Sequence, residues 1–532
     1  MNIKKKLFEP LVSLDNPRQI WFILLAICLV NFMFNFYIGM VNITLPTITE
    51  YYHSDVVTAT WISNIYLLTL TISVIFLGRV GGLWSRKKFF IVGTLIWVTT
   101  SLLCFYSTST DSLIVLRAIQ GFAAGFMASV YYAILDRTFP NERLGFALGF
   151  LLIALAGGYA VGPLVGGYIA AYIGWQYIFL TVIPFGLLSV LVYLFTAQKP
   201  EADNDSELLT RRIVYSQKNP NASRSQIFAK ILDYKGAILQ AAALFTLTYM
   251  LIIAQKFGFS PYDFVLLVLA IIFGGLFVWV EAKHDEPLFR FTVFRSITFS
   301  AYITGLLLNY IVLYMALFIL PFYLQKVVGV PVNISGILIS IVWFSAMIVS
   351  LLAGGLADRI GVKPLAITAA LSCILATIMI HSFQTSANWY YILVAFIILG
   401  LGYGFYQSPN NKMLLSVIPL DFKTQVSAMM TLTKNLGSVF GNAFAGLIIS
   451  TAITQTALSG KVTLTGSQAA SFMSGFERIF LFGAILSVLL LISTLDLEKY
   501  IGKYFTGFFK RFKGSPNPET IPKSTEKPIQ SK

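Results

Sequence analysis

Long apolar segments follow one another along almost the whole of this 532-residue chain. A helix that crosses the hydrocarbon core of a bilayer needs roughly 20 apolar residues, and about fourteen segments meet that length. The chain is 57% hydrophobic and 11% charged, whereas a soluble domain carries roughly 25% charged residues. We therefore predict an all-α polytopic membrane protein. The candidate spans are 20–48, 57–83, 88–107, 112–135, 144–172, 176–197, 236–255, 262–280, 298–324, 333–356, 364–383, 388–411, 425–452 and 475–495.

The formal net charge of +15 is distributed unevenly between alternate loops. If the basic amino terminus lies in the cytoplasm, roughly thirty Lys and Arg residues fall on cytoplasmic segments and about three, Lys256, Lys326 and Lys461, fall outside. This asymmetry predicts an even number of spans in the cell (inner) membrane, with both termini cytoplasmic. It also argues against nucleic acid as a partner. The first apolar run lacks a small-residue cleavage site, which predicts a retained span rather than a signal peptide.

Polar stretches divide the spans into groups of six, two and six. The stretch "KPEADNDSELLTRRIVYSQKNPNASRSQ" is typical of a solvated linker, and "EAKHDEPLFRFTVFRS" is typical of a segment that lies on a membrane surface. The predicted organisation is an N-terminal six-helix half (1–197), a cytoplasmic linker (198–235), two linking helices (236–281), a cytoplasmic surface connector (282–297), a C-terminal six-helix half (298–495) and a basic cytoplasmic tail (496–532).

Small residues recur every four positions in the fifth span, within "ALAGGYAVGPLVGGY". They are Ala154, Gly158, Gly162, Gly166 and Ala170, and they share one helix face. In lipid such a face lets two helix backbones approach closely. The thirteenth span repeats the pattern at Thr433, Gly437, Gly441 and Ala445, and the loops "GRVGGLWSRKK" (78–88) and "GGLADRIGVK" (354–363) also correspond. These features predict two six-helix repeats, an arrangement typical of secondary transporters.

The fifth-span run matches G-x-x-x-G-P-x-x-G-G, and "LRAIQGFAAG" (116–125) carries Arg117 and Gln120 within the fourth span. In these motifs and in their order, the sequence resembles the major facilitator superfamily, specifically its fourteen-helix drug:proton antiporter branch. The resemblance implies a major facilitator fold, with two six-helix repeats plus two linking helices. It also implies proton-coupled efflux of an amphipathic small organic compound by alternating access. A small-molecule substrate, protons and the lipid bilayer would be its partners, with a periplasmic adaptor in some relatives.

The resemblance also implies roles for individual residues. The glycine face of the fifth span is expected to pack against a helix of the other half, and Asp358 and Arg359 to latch one conformation. The residues assigned to conformational gating are Gly158, Gly162, Pro163, Gly166, Gly167, Asp358 and Arg359. Arg117 is assigned to proton transfer or coupling, because a charge at membrane depth is costly and therefore a functional candidate. The alternative is an arginine that points outward and binds backbone carbonyls.

The chain lacks an acidic residue at two positions where the branch usually carries one. Gly82 stands where the first loop usually carries Asp, and Tyr37 stands where the first span usually carries an acid. We assign Asn35, Tyr37, Asn42 and Gln120 to a predicted substrate cavity. The asparagines could bind substrate, or they could equally bind a neighbouring helix.

Two further charged residues are candidates for proton coupling. Lys434 lies roughly 15 Å along its helix, near the middle of the bilayer, and it could carry a proton or bind carbonyls or Asn435. Glu477 is the carboxylate that the pattern places furthest inside a span. With few intramembrane acids and a deep lysine, we predict a neutral or anionic substrate in preference to a cationic one.

Other functional classes are less consistent with the sequence. No metal-spaced histidine pair, nucleophile elbow or phosphate-binding loop occurs, so we expect no enzyme activity, cofactor or metal site. A channel needs rings of charge or carbonyls, and the two-repeat pattern argues against one. The open alternatives are uptake or export of one specific metabolite, such as a siderophore, and a non-transporting receptor on the same fold.

Overall fold

The computed structural model describes residues 17–83, 86–139, 141–196, 233–258, 260–284, 293–294, 296–385, 388–416, 423–453 and 463–495. Within these ranges the chain is almost entirely helical and contains no β-strand. The predicted basic tail (496–532) and most of the predicted linker (198–235) and surface connector (282–297) lie outside the described residues.

Thirteen of the described helices are long and apolar enough to cross a membrane. A fourteenth, α13, is 30 residues long but richer in polar residues, among them Lys434 and Asn442. The sixth span is broken at Val182, just before Pro184, which cannot donate a backbone hydrogen bond. The helices are α1 (Pro17–Tyr51), α2 (Val56–Leu83), α3 (Arg86–Phe105), α4 (Thr110–Thr138), α5 (Asn141–Tyr172), α6 (Trp175–Leu194), α7 (Tyr234–Phe257), α8 (Pro261–Lys283), α9 (Ile297–Phe322), α10 (Val332–Ile360), α11 (Val362–His381), α12 (Trp389–Ser416), α13 (Lys423–Ala452) and α14 (Gly466–Thr494).

Helices α1–α6 and α9–α14 pack in the same way. In the first half α1 packs on α5 and α2 on α4, and in the second half α9 packs on α13 and α10 on α12. The two halves then meet through α5 with α10 and through α2 with α13. Because equivalent helices make equivalent contacts, the predicted arrangement of two six-helix repeats is confirmed.

The linking helices lie against one of these contacts between the halves. Helix α7 packs on both α2 and α13, and α8 packs on α7. Thr60 of α2 donates a hydrogen bond to Gln255 Oε1 (3.1 Å), and Gln255 Nε2 donates to the carbonyl of Ala443 in α13 (3.2 Å). Helix α7 therefore contacts both halves with a single side chain.

The glycine face of α5 does not pack where it was expected. A Cβ on Gly158 or Gly162 would lie 2.5 Å from a carbonyl oxygen of α1, that of Phe32 or Phe36, and one on Gly166 would lie 2.7 Å from Met40 Cα. The expectation that this face contacts the other half is therefore wrong, because the face is buried against α1 of its own half.

The neighbouring face of α5 makes the contact between the halves. A Cβ on Gly167 would lie 2.6 Å from the Val332 carbonyl oxygen of α10, and Gly336 of α10 lies directly against the Pro163 carbonyl. Successive residues of a helix differ by about 100° in direction, so one α5 helix presents small residues to two partners. Its motif therefore serves two interfaces at once.

Candidate functional site

Arg117 of α4 is buried inside the first half, with 2% of its surface exposed. Its Nε donates a hydrogen bond to the Ile62 carbonyl of α2 (3.1 Å), and one terminal nitrogen donates to Gln120 Oε1 (3.4 Å). The guanidinium carbon lies 4.8 Å from the ring centre of Tyr37 and 4.5 Å from that of Tyr66. Among the described residues it meets no carboxylate, so carbonyl, amide and ring faces balance its charge.

Tyr37 of α1 completes this group, which we call the arginine cluster (Tyr37, Ile62, Tyr66, Arg117 and Gln120). The Tyr37 hydroxyl donates to Gln120 Oε1 at 2.6 Å, and Tyr37 is fully buried. Gln120 Nε2 has no hydrogen-bond partner among the described atoms. The cluster joins three helices of one half, and in this conformation neither Tyr37 nor Gln120 lines the cavity between the halves.

That central cavity is small, with a volume of about 10 Å³, close to the space that one water molecule needs. Of the four residues predicted to line a substrate cavity, only Asn42 borders it. Asn35 instead donates to the Asn31 carbonyl in its own helix (2.6 Å). The lining residues are Gly39, Asn42, Ile43, Tyr159, Pro163, Leu317, Pro321, Ile339 and Trp343.

A chain of polar side chains joins the halves beside the cavity. Ser63 of α2 donates to Asn42 Oδ1 (3.1 Å), and Asn442 of α13 donates to Ser63 (3.0 Å) and to Asn64 Oδ1 (2.9 Å). Asn64 in turn donates to the Val439 carbonyl of α13 (3.1 Å). Sequence reasoning missed Ser63, Asn64 and Asn442, although asparagine inside an apolar span was a usable signal.

Aromatic residues form a second connection between the halves, which we call the aromatic circuit (Tyr159, Tyr310, Tyr314, Trp343 and Tyr403). The hydroxyls of Tyr159 in α5 and Tyr314 in α9 lie 2.9 Å apart, and those of Tyr310 in α9 and Tyr403 in α12 lie 2.8 Å apart. The rings of Tyr159 and Trp343 in α10 stack with centres 4.2 Å apart. None of these residues was singled out from the sequence, since aromatic residues occur in every span.

Lys434 of α13 is half-buried. Its ammonium group makes no hydrogen bond or ion pair among the described residues, and only its carbonyl is engaged, by Ser438 (3.0 Å). Glu477, the third residue assigned to proton coupling, is exposed on α14, where its carbonyl lies 2.9 Å from His381 Nδ1. The structure therefore does not bring Arg117, Lys434 and Glu477 together.

Polar contacts join the two halves at the end of the bundle where α1 ends and α2 begins, here called the far end. Helix α9 continues into a π-turn (Tyr323–Val327), in which Gln325 donates to the Ile43 carbonyl of α1 (3.0 Å). The next residue, Lys326, forms an ion pair with Glu50 of α1 (2.7 Å). Every hydrogen bond between described residues of the two halves lies in the far part of the bundle or near its middle.

At the opposite end, two predicted gating residues lie within one half. Asp358, near the end of α10, forms an ion pair with Lys412 of α12, and Arg359 is exposed. No group of three or more His, Cys, Asp or Glu side chains within the described ranges is placed to hold a metal ion.

This architecture has a match among known families. The family model described as Major Facilitator Superfamily matches residues 27–442, with a second match over 304–501. The chain belongs to the Major Facilitator Superfamily. It is therefore a multi-pass membrane transporter rather than an enzyme, and the resemblance and the fold class predicted from the sequence are confirmed.

Two superfamily relatives illustrate the range of cargo. The chain is 25% identical over 446 residues to the riboflavin transporter RibZ of Clostridioides difficile (strain 630), covering 82% of this chain and 90% of RibZ. It is also 25% identical over 440 residues to the tetracenomycin C resistance and export protein of Streptomyces glaucescens, covering 81% of this chain and 76% of that protein.

Solved superfamily structures share the fold at low identity. The peptide transporter POT in complex with sulfate matches with a TM-score of 0.60 and 15% identity, covering 92% of this chain and 97% of POT. A bacterial homologue of the human lysosomal transporter Spinster, in an inward-facing and unoccupied conformation, matches with a TM-score of 0.59 and 14% identity. The match covers 90% of this chain and 98% of that protein.

Proposed function

We propose that this transporter exports a small amphipathic organic compound across the cell membrane by alternating access, in exchange for protons. The observation that carries the proposal is the one-sided set of hydrogen bonds and ion pairs between the described residues of the two halves. They are joined by Lys326–Glu50, by Gln325 and by the polar side chains of α2 and α13, all in the far part of the bundle or near its middle. Two rigid halves joined in this way can part at the other end.

The direction of that opening follows from the loop charges. The basic segments of the sequence connect helices at the end of the bundle where α1 begins and α14 ends, and the positive-inside rule would place that end in the cytoplasm. The far end would then face outward, and the conformation described here would be closed to the outside. A compound that enters from the cytoplasm or inner leaflet could reach the region of Asn42 before the halves reverse.

The charge of the substrate follows from the side chains that could meet it. Lys434 has an ammonium group that no described residue engages, and the position where the branch usually carries an acid is Tyr37. A cation that leaves water for this region would find no described carboxylate to balance its charge. We therefore propose a neutral or anionic amphiphile as substrate.

The residue that couples transport to protons is assigned from the ability of each candidate side chain to release a proton. An arginine stays protonated in proteins, so Arg117 would act by holding α2 and α4 in place rather than by releasing a proton. A lysine can release its proton, which makes Lys434 the better carrier of the three candidates. Glu477 and a periplasmic adaptor stay predictions.

One relative supports a second candidate. RibZ is named as a riboflavin transporter, so this chain could instead move one specific metabolite in either direction. A narrow substrate range would favour that candidate over export of varied amphiphiles.

Purified protein in proteoliposomes, with an imposed pH gradient, tests the proposal. Flux of matched neutral, anionic and cationic amphiphiles is measured against protein-free vesicles, with counterflow to identify a carrier. We expect saturable, gradient-dependent flux of neutral or anionic compounds. Flux without counterflow would indicate a channel, and binding without flux would indicate a receptor.

A further inference from the structure

Two aromatic rings face each other across the boundary between the halves. Tyr159 of α5 and Trp343 of α10 lie with ring centres 4.2 Å apart and ring planes only 8° from parallel. Among ring pairs of described residues, this is the one that joins the two halves. A near-parallel stack at this distance exposes two flat faces to each other and leaves no room between them.

Both rings are held in orientation by other members of the aromatic circuit. The Tyr159 hydroxyl is hydrogen-bonded to Tyr314 (2.9 Å), and Trp343 meets Tyr403 edge-on, with planes at 81°. Tyr314 stacks on Tyr310, which is hydrogen-bonded to Tyr403. Trp343 is therefore held by a ring of its own half, which lowers the entropy cost of binding a ligand against it, whereas Tyr159 is held by a hydrogen bond that crosses between the halves.

The same two rings form a wall of the central cavity. The other lining side chains are apolar, except for the amide of Asn42. Carbon atoms in contact lie about 3.5–4.0 Å apart, so one flat ring enters the stack if Tyr159 and Trp343 separate by roughly that distance. Because each ring belongs to a different half, the motion that separates the halves also opens this slot.

We propose that Tyr159 and Trp343 form a slot that binds the flat, conjugated ring system of the substrate between them. The substrate class is then a planar polycyclic aromatic amphiphile, with a polar group that reaches Asn42. In the absence of substrate the two rings stack on each other and close the slot. This inference rests on the proposed function, since it requires a compound to pass between the halves.

Equilibrium binding to the purified protein tests the slot independently of transport direction and proton coupling. The probes are 1-pyrenebutyrate and a saturated polycyclic carboxylate of similar volume, which share charge but differ in flatness. We expect wild type to bind the planar probe at least tenfold more tightly, and Trp343→Leu and Tyr159→Leu to lose most of that preference. Trp343→Phe, which keeps a ring, should retain it.

Trp389→Leu is the matched control, because Trp389 is a half-exposed tryptophan at the start of α12, outside the cavity lining. It should leave the preference unchanged. Equal binding of both probes by wild type, or an unchanged preference in well-folded Trp343→Leu and Tyr159→Leu, would overturn the slot. If neither probe is transported but the preference depends on Trp343, the slot stands and the proposed export of such compounds fails.

Discussion

Arg117 in the first half and Lys434 in the second half both lie about two turns or more inside a long helix, but their surroundings differ. Arg117 is 2% exposed and is held by a carbonyl, an amide and two ring faces. Lys434 is half-buried, and its ammonium group is engaged by no described residue. A charge that is enclosed by a carbonyl, an amide and two rings stabilises its own half, whereas an ammonium group that no described residue engages is available to a substrate or for proton release.

The neutral side chains show the same contrast. In the first half Tyr37 of α1 donates to the carbonyl oxygen of Gln120 in α4, which also accepts from Arg117. In the second half Gln407 of α12 donates to Tyr310 of α9, and the Gln407 oxygen has no partner among the described atoms. Each half thus joins its first and fourth helices by a tyrosine–glutamine bond, but only the first half adds a cation to it.

The largest loss of transport is expected from substitution of the glycines that the two halves use in the same way. These glycines let α5 pack closely on α1 and α13 pack closely on α9. A leucine at Gly162 or Gly441 would collide with a backbone oxygen 2.5 or 2.6 Å from its Cβ, so the helices must part. We expect each variant to insert but to lose flux in proteoliposomes. Gly149→Leu is the control, since a Cβ there meets nothing within 4 Å, and near-normal flux in Gly162→Leu would contradict the packing.

Removing Arg117 should have the next largest effect. Arg117→Ala removes the donor of the hydrogen bonds to the Ile62 carbonyl and to Gln120, and the loss of hydrogen bonds from a charged group costs about 1–3 kcal/mol. That cost corresponds to roughly 5- to 150-fold in an equilibrium, so we expect lower thermal stability together with at least about tenfold less flux. Arg117→Lys should be only partly tolerated, because lysine lacks the planar fork of donors. Unchanged flux and melting temperature in Arg117→Ala would show that Arg117 does not stabilise its half, and the two charged residues would then not differ in role.

Lys434→Ala should change selectivity rather than stability, because no described contact of its ammonium group is lost. We expect flux of an anionic amphiphile to fall about tenfold, the equivalent of roughly 1.4 kcal/mol, while a matched neutral compound changes little. Lys434→Arg keeps the charge and should keep the anion preference. Strong cation export by wild type that is unaffected by Lys434→Ala would show that the lysine does not face the substrate.

The smallest effect is expected at the Lys326–Glu50 ion pair, which joins the two halves at the far end. Partly exposed ion pairs contribute about 0.2–1 kcal/mol, so Glu50→Gln should favour far-end opening by no more than about fivefold. The readout is alkylation of Ile43→Cys, a buried position behind the pair, by an impermeant maleimide in a background lacking Cys28, Cys104 and Cys373. Glu50→Lys combined with Lys326→Glu should restore slow alkylation, and no change in any variant would exclude a closing role.

The prediction from the sequence succeeded for features that depend on local pattern. The all-helical multi-pass fold, its two six-helix repeats and the family were predicted correctly, and Arg117 was singled out because an intramembrane charge is conspicuous. The α5 glycines were recognised, but the face of Gly158, Gly162 and Gly166 was assigned to the wrong partner. The partner depends on how α5 is rotated relative to both α1 and α10, which residue spacing does not specify.

The amino-acid sequence by itself determined that the chain forms a series of long apolar helices, that these form two similar halves and that backbones approach closely at α5 and α13. It did so because apolar length and small-residue spacing are properties of single helices. Only the tertiary structure decided that Asn442 meets Ser63 and Asn64, that Tyr159 stacks on Trp343, and that Arg117 is engaged while Lys434 is not. Most of these contacts join residues that are far apart in the sequence, and whether an asparagine, a tyrosine or a lysine is paired depends on which neighbour the packing brings to it.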